Sequence, residues 1–356
     1  MATVGSRSRT LAAIAGEAGV SVSAVSKVLN GRTDVAADTR ARIARLLRQH
    51  GYQVASQIGF GVVDLLIGSS LHSPWSEELI RGAVEAAAEA DVSVIVTTVT
   101  SPGEFTRWLD RATRRGTGGV LCVLHLPAGR HLQRLTAAHI PMVVIDPAEE
   151  PGAGIRSVGT TNWQGGVLAT RHLIGLGHQR IAVICQDEVW SGRARLAGYR
   201  EAMLAAGLEL DDQLVRRDEF SAAGGREQAR WLLALPEPPT AIIAGNDAQA
   251  FGVLQAVAEG GLRTPDDVSV IGFDDVPVAT WASPALTTIR QPLAAMSAAA
   301  FRMLRDTRAD TRAGTGADAG QARSGPTADA GPEPQHIELA TSLIVRDSTA
   351  PPPGRS

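Results

Sequence analysis

One stretch near the start of the chain, Thr10 to Leu29, constrains the fold most, because it predicts two short helices joined by a tight turn. In its first half, apolar residues recur at helical spacing after an N-cap at Thr10. Gly19 ends this first helix, because glycine enters the left-handed region without steric cost. Ser21 caps the second helix, whose apolar residues fall on one side. The other side is small, polar and cationic, which suits the major groove of DNA, although an ordinary helical hairpin has the same geometry. Four residues project together from it: Val22, Ser23, Ser26 and Lys27.

The charge of this N-terminal segment separates the two interpretations. Residues 1–51 carry eight cationic and three acidic side chains, a net charge of +5, whereas the whole chain carries −3. The remainder of the chain therefore carries −3 − 5 = −8. A basic segment attached to an acidic body is typical of a phosphate-binding module with a soluble partner domain, so the charge favours DNA binding.

The run from Gly19 to Gly31, GVSVSAVSKVLNG, leads to a third predicted helix from Thr39 to His50 and then to Gly51-Tyr52. This pattern resembles the headpiece of the lactose-repressor (LacI/GalR) family of transcription regulators, whose members carry a run close to GVSxxTVSRVLNG. Here Ala24 stands in place of the usual threonine and Lys27 in place of the usual arginine. The resemblance implies a DNA interface in which Val22, Ser23 and Lys27 face bases and Ser21 and Asn30 approach the backbone, with Ser26 beside them.

Length and composition bound the remaining possibilities. A chain of 356 residues with 44% hydrophobic and 20% charged residues is long enough for a small and a large globular domain. Neither a signal peptide nor an apolar run of about 18 residues is visible, so we expect a cytoplasmic protein without a membrane partner. Cys122 and Cys185 lie in apolar runs and are predicted to be buried, reduced thiols; no cofactor, metal site or disulfide is expected.

From Phe60 onward, short apolar β-branched runs alternate with amphipathic helical patterns. This alternation predicts an α/β fold with two doubly wound parallel sheets. The family resemblance implies a three-helix helix-turn-helix headpiece followed by an effector domain of two subdomains, similar to periplasmic binding proteins. In that fold the chain passes between the subdomains three times, once at Gln291-Pro292.

Domain boundaries follow from these patterns. We expect a headpiece over residues 1–52, a short linker over 53–59 and an effector-binding and dimerisation domain over 60–347. The linker lacks the arginine and leucine with which family members build a hinge helix. Residues 306–335 hold almost no bulky apolar side chain, which predicts a disordered insert, and Ile337 to Val345 reads as a final strand of subdomain two. Subdomain one is expected over 60–160 and 292–305, and subdomain two over 161–291 and 336–347.

Polar and aromatic residues follow several predicted strands, at the sheet edge where open α/β folds bind ligands. Carboxylates, amides, one arginine and flat rings suit a sugar, whose hydroxyls need fixed partners and whose C–H faces stack on rings. The candidate effector-binding residues are Ser73, Trp75, Asp146, Arg195, Phe220, Asn246 and Asp274. Two runs, RLAGY and GFDD, match the family closely, and the resemblance implies that Arg195, Asn246 and Asp274 contact effector hydroxyls while Phe220 supplies a ring. Asp247 instead reads as the N-cap of a helix starting at Ala248, and Trp163 as a packing residue between subdomains.

The sequence therefore predicts a transcription repressor that binds operator DNA as a homodimer and responds to a small effector, most simply a carbohydrate. One alternative is a nucleoside or purine effector acting as a co-repressor. A second is a solute-binding protein without a regulatory role, which the basic headpiece disfavours. An enzyme is not expected, because the chain carries no GxSxG elbow, Walker loop, glycine fingerprint after a strand or paired metal ligands.

Overall fold

The computed structural model of the chain describes residues 10–29, 35–50, 61–68, 73–125, 127–152, 154–314 and 336–354. Its N-terminal part consists of three helices, α1 (Leu11–Ala18), α2 (Val22–Leu29) and α3 (Ala37–Gln49). In the ranges given above, no single helix is long and apolar enough to cross a membrane; only α1 and α2, joined across the 107° bend between them, reach that length and composition.

The three N-terminal helices share one apolar core. Two of the three residues predicted to cap or end these helices act as expected. Gly19 ends α1 with φ +63°, and the Ser21 hydroxyl accepts the Ala24 N–H at 3.2 Å at the start of α2. Thr10 behaves differently, because its backbone carbonyl rather than its side chain accepts the first free N–H groups of α1. The predicted Thr10 side-chain cap is therefore wrong. The fully buried core residues are Ile14, Val25, Val28, Ile43 and Leu47.

The rest of the chain alternates strands and helices. The first run is β1 (Val62–Ile67), α4 (Pro74–Ala88), β2 (Ser93–Thr98), α5 (Pro102–Arg115), β3 (Val120–Val123), α6 (Gly129–Ala137), β4 (Met142–Ile145) and β5 (Ser157–Thr160). The second run is α7 (Asn162–Gly175), β6 (Ile181–Cys185), α8 (Trp190–Ala205), β7 (Val215–Arg217), α9 (Ala222–Leu233), β8 (Ala241–Ala244), α10 (Asp247–Glu259), β9 (Ser269–Asp274) and β10 (Thr287–Arg290). Three elements complete the chain: α11 (Leu293–Gly314), β11 (His336–Leu339) and β12 (Ser342–Ile344).

These strands form two six-stranded sheets. The first has the order β11-β5-β4-β3-β1-β2 and is parallel throughout. The second has the order β12-β10-β9-β8-β6-β7 and is parallel except for β12, where Ile344 lies antiparallel to Thr288 of β10. Helices and strands of each sheet enclose their own buried apolar clusters. The predicted fold class, two doubly wound sheets behind a helical headpiece, is confirmed.

The C-terminal part differs from the sequence prediction in two ways. The apolar run from Ile337 to Val345 is two strands, of which β11 pairs with β5 in the first sheet and β12 with β10 in the second. Assigning the whole run to subdomain two is therefore wrong. Helix α11 also continues to Gly314, beyond the expected end at Arg305, so residues 306–314 are helical rather than part of an insert. Residues 315–335 of that insert, and the linker 53–59, lie outside the described ranges.

The chain crosses between the two subdomains at three places, residues 160–162, 291–292 and 340–341, which we call the crossing segments. They bind one another directly. Thr160 Oγ1 donates to Gln291 Oε1 at 2.8 Å, and Thr161 and Thr341 join through their hydroxyls at 3.0 Å and through the Thr341 N–H. The crossing segments thus form one hydrogen-bonded unit beneath the space between the sheets.

Candidate functional site

Helix α2 presents the face predicted to read DNA. Ser21 and Ser23 are exposed, Val22 is 48% exposed, and Ser26 and Lys27 are half-buried along the same side. Val25 and Val28 on the opposite side are fully buried. Val22 is not part of the apolar core of the headpiece, and an exposed apolar side chain between hydroxyls suits contact with the edges of bases. Asn30 lies outside the described residues.

A buried arginine organises the space between the sheets. Arg195 on α8 is 6% exposed; its Nε donates to Asn162 Oδ1 at 2.9 Å and its Nη1 to the Gly245 carbonyl at 2.6 Å. The guanidinium lies 3.7 Å from the centre of the Phe273 ring and 5.5 Å from that of Phe220. These contacts fix the cation in one orientation, in a site from which water is largely excluded.

Close contact between two helices places Arg195 there. Gly166 of α7 lies so near α8 that a Cβ at this position would stand 2.2 Å from the Arg195 carbonyl oxygen. Only glycine permits this approach, which brings the first residue of α7, Asn162, beside the guanidinium.

Asp274, at the end of β9, is the acidic partner of this arginine. Its Oδ1 lies 4.0 Å from Arg195 Nη2 and accepts the Gln291 amide N–H at 2.5 Å. Burial, with a smaller contribution from the charge of Asp146, raises the pKa of Asp274 to about 7, although the charge of Arg195 and the Gln291 hydrogen bond lower it. Since Gln291 also accepts from Thr160, Asp274 is linked to two crossing segments.

The helix cap predicted at Asp247 lies one residue earlier. Asn246, not Asp247, caps α10, because its Oδ1 accepts the Gln249 N–H at 2.9 Å. Asp247 is fully buried and accepts from the Thr288 hydroxyl at 2.6 Å and from the Val276 N–H at 2.9 Å. Burial and the charge of Asp274 raise the pKa of Asp247 well above its ordinary value. The predicted Asp247 cap is wrong; this carboxyl fixes the loop that follows Asp274.

Asp146, at the end of β4, enters the same space from the first subdomain. It is 5% exposed with φ +47°, and its carboxylate accepts no hydrogen bond from any residue in the described part of the chain. Burial raises the pKa of Asp146, and the charge of Arg195 opposes the rise. Among the described residues, the only fully shielded side-chain polar atom without a partner is Thr264 Oγ1, so the Asp146 oxygens are reachable and are acceptors available to a ligand.

The structure brings five of the seven candidate residues into one group, which we call the Arg195 group: Asp146, Arg195, Phe220, Asn246 and Asp274. Ser73 and Trp75 make no hydrogen bond, ion pair or ring contact with it within the described ranges. Trp75 is half-buried against the core of the first subdomain. Trp163, predicted to pack between subdomains, is instead 49% exposed. The sequence did not indicate a site role for Gln291 or Thr160, because neither stands in a recognisable motif.

Other reactive side chains lie apart from this group. Cys122 and Cys185 are buried and free, as predicted, and burial raises the pKa of their thiols to about 12 and about 11. The described residues include no set of three His, Cys, Asp or Glu side chains placed to hold a metal ion.

Comparison with known proteins identifies both parts of the chain. Residues 10–54 match the model described as bacterial regulatory proteins, lacI family, and residues 170–349 match a periplasmic binding protein-like domain. The ribose operon repressor of Escherichia coli K12 is 33% identical over 80% of this chain and 88% of its own length. The transcriptional repressor PurR of E. coli is 30% identical over 97% of this chain and 98% of its own. Among solved structures, the transcriptional regulator CelR in complex with cellobiose superposes with a TM-score of 0.70 at 30% identity, over 96% of this chain and 99% of CelR.

Proposed function

The chain belongs to the LacI family of bacterial regulatory proteins, and from that membership we propose that it is an operator-binding repressor controlled by a small sugar. The observation that carries the proposal is the face of α2. Val22 and Ser23 are exposed above the buried Val25 and Val28, which is the arrangement of a recognition helix docked on its own headpiece.

For the DNA contacts, we assign base-facing positions to Val22, Ser23 and Lys27 and backbone-facing positions to Ser21 and Asn30, with Ser26 between them. The half-buried Lys27 lies on the same side of α2 as the exposed serines, where a cation meets phosphates or guanine edges.

We place the effector in the Arg195 group. Asp146, Asn246 and Asp274 supply polar atoms for hydroxyls, Arg195 supplies donors, and Phe220 supplies a ring. Ser73 and Trp75 follow β1 in the first subdomain and remain candidates for the facing wall. A sugar is the proposed class because of this donor and acceptor set and because the relatives include a ribose operon repressor and a regulator bound to cellobiose.

The remaining assignments belong to the same proposal. The headpiece spans residues 1–52, the linker 53–59 and the effector domain 60–347. Two chains pair through their first subdomains, so that two headpieces read a pseudo-palindromic operator in the cytoplasm. The protein acts without enzymatic chemistry, like the regulators it resembles. Effector binding changes the angle between the subdomains and hence the spacing of the headpieces, because the effector has different affinities for the two states.

A purine co-repressor is the second candidate. The observation that favours it is the match to PurR, which extends over nearly the whole of both chains. The half-buried ring of Phe220, whose centre lies 5.5 Å from the guanidinium, also allows a flat ligand to stack.

The test is fluorescence anisotropy of full-length protein with labelled DNA from upstream of its own gene. The assay is repeated with ribose, glucose, cellobiose and maltose, and with hypoxanthine and guanine. Release of a specific complex by a sugar supports the main proposal, whereas tighter binding with a purine supports the alternative. Failure to bind the fragment more tightly than a shuffled sequence of equal length, in the presence or absence of ligands, contradicts autoregulation through this DNA and both candidates at that operator.

A further inference from the structure

A cavity of about 280 Å³ lies beside the crossing segments, next to the edge of the first sheet where β11 joins β5. We call it the hinge-side pocket. The residues that matter for its chemistry are Asp146, Asn162, Trp163, Trp190, His336 and Glu338. Of the cleft candidates named from the sequence, only Asp146 lines it.

Both subdomains build the aromatic wall of this pocket. The backbone N–H of Trp190, at the start of α8, donates to the Ala148 carbonyl at 2.7 Å and so joins the second subdomain to the loop after β4. The Trp190 ring packs against His336 of β11, with ring centres 5.5 Å apart, and the His336 Nδ1 is held by the Ser157 hydroxyl at 2.8 Å. The wall is therefore fixed from both sides of the crossing segments.

Two polar residues of the pocket lining link it to the Arg195 group. Asp146 lines the pocket and also lies in the field of Arg195. Asn162 lines it too, and accepts from Arg195 Nε at 2.9 Å. Asp146 is 5% exposed and its carboxylate has no donor among the described residues, so it is an acceptor that a ligand in the pocket can use.

The chemistry of the lining narrows the ligand class. None of the described residues around the pocket is Lys or Arg, and Asp146 and Glu338 oppose anions, so a phosphate or carboxylate is disfavoured. Tryptophan faces beside carboxylate and amide oxygens suit a neutral ring with an apolar C–H face and hydroxyl donors. A volume near the lower end of the roughly 300–1,000 Å³ of ordinary ligand pockets accommodates one such ring rather than a whole oligomer.

We propose that the hinge-side pocket receives the second ring of a two-ring saccharide whose first ring is held by the Arg195 group. Trp190 stacks on the second ring, and Asp146 accepts a hydroxyl at the junction of the two spaces. The inference rests on the proposed sugar effector and specifies its size.

The test is isothermal titration calorimetry of the full-length protein with glucose, galactose and ribose, and with cellobiose, lactose, maltose and trehalose. We expect one disaccharide to bind about tenfold more tightly than its component monosaccharides, and Trp190→Ala to remove that advantage while leaving monosaccharide affinity unchanged. Trp190→Phe, which keeps a ring, should retain most of it. Trp231→Ala is the matched control, because Trp231 lies on α9 over Arg216, outside the pocket.

The outcomes separate the inference from the function beneath it. If a monosaccharide binds as tightly as every disaccharide and Trp190→Ala changes neither affinity, the second-ring inference fails while the sugar effector stands. If Trp231→Ala lowers disaccharide affinity as much as Trp190→Ala, the effect does not come from the pocket, and the inference also fails. If no sugar of the panel binds, both the sugar effector and the inference are overturned.

Discussion

The contact between α7 and α8 at Gly166 offers the sharpest test of how the Arg195 group is positioned. In Gly166→Ala the new methyl would stand 2.2 Å from the Arg195 carbonyl oxygen, whereas ordinary contact begins at 3.4 Å. The helices must therefore separate by about 1 Å, and overpacking of this kind costs about 1–3 kcal/mol. The same movement stretches the 2.9 Å hydrogen bond from Arg195 to Asn162 beyond a useful length. We expect a less stable effector domain that responds weakly to effector, with operator binding preserved.

The matched control lies on the same helix. Gly175 is the last residue of α7 and has no atom within 4 Å of a Cβ built on it, so Gly175→Ala should be neutral or stabilise the helix by up to about 1 kcal/mol. Urea denaturation monitored by tryptophan fluorescence gives the unfolding midpoints of the two variants. Anisotropy of labelled operator DNA with and without effector gives their effector response. Equal midpoints for the two variants, with a full effector response in Gly166→Ala, would refute the claim that this contact positions Arg195.

Three further predictions concern charges. Lys27→Ala should weaken operator binding and reduce the slope of log affinity against log salt by about 0.9; an unchanged slope and affinity would remove Lys27 from the DNA interface. Asp274→Asn should leave operator binding intact and abolish effector response, and a variant that still responds contradicts the assignment of the site. Burial raises the pKa of Asp274 to about 7, so below this pH the folded chain holds a proton that the unfolded chain has released. The free energy of unfolding should therefore fall as pH rises toward 7, by up to about 1.4 kcal/mol per pH unit, and level off above pH 7. Urea midpoints between pH 5 and 8 measure this, and the slope should flatten in Asp274→Asn; parallel profiles would mean that another group titrates.

The elements that sequence predicted well are those whose own side chains decide their conformation. β3, β4, β6 and β8 are runs of apolar, mostly buried residues, and so is β1 apart from Asp64; such runs are visible without a structure. The turn between α1 and α2 is equally local, since Gly19 and Ser21 act within a few residues of themselves.

Elements fixed by distant partners were missed. β5, with the sequence SVGT, has no apolar run of its own and is a strand because β4 and β11 pair on either side of it. β11 and β12 read as one strand because only the Thr341–Thr161 hydrogen bonds mark the point where the chain leaves one sheet for the other. Their division depends on a contact 180 residues away in the sequence.

The residue types of the candidate site could be predicted, but their connections could not. A carboxylate after a buried strand signals a cleft, which is why Asp146 and Asp274 were named. Whether Asn246 or Asp247 caps α10 depends on which of the two side chains the loop from Val276 buries, and the sequence around α10 does not indicate this choice. Gln291 has no motif; its importance appears only when Asp274 and Thr160 stand on either side of it.

These connections explain how one ligand can affect the whole effector domain. Asp274 is held by Gln291, Gln291 by Thr160, and Thr160 lies next to the Thr161–Thr341 contact, so the polar atoms that would bind an effector end in the crossing segments. A ligand that draws Asp274 away from Gln291 frees the amide that joins two of those segments, whereas one that leaves the pair intact keeps them joined. We therefore expect the angle between the subdomains to depend on how a ligand engages this carboxylate, and not only on whether the cleft is filled.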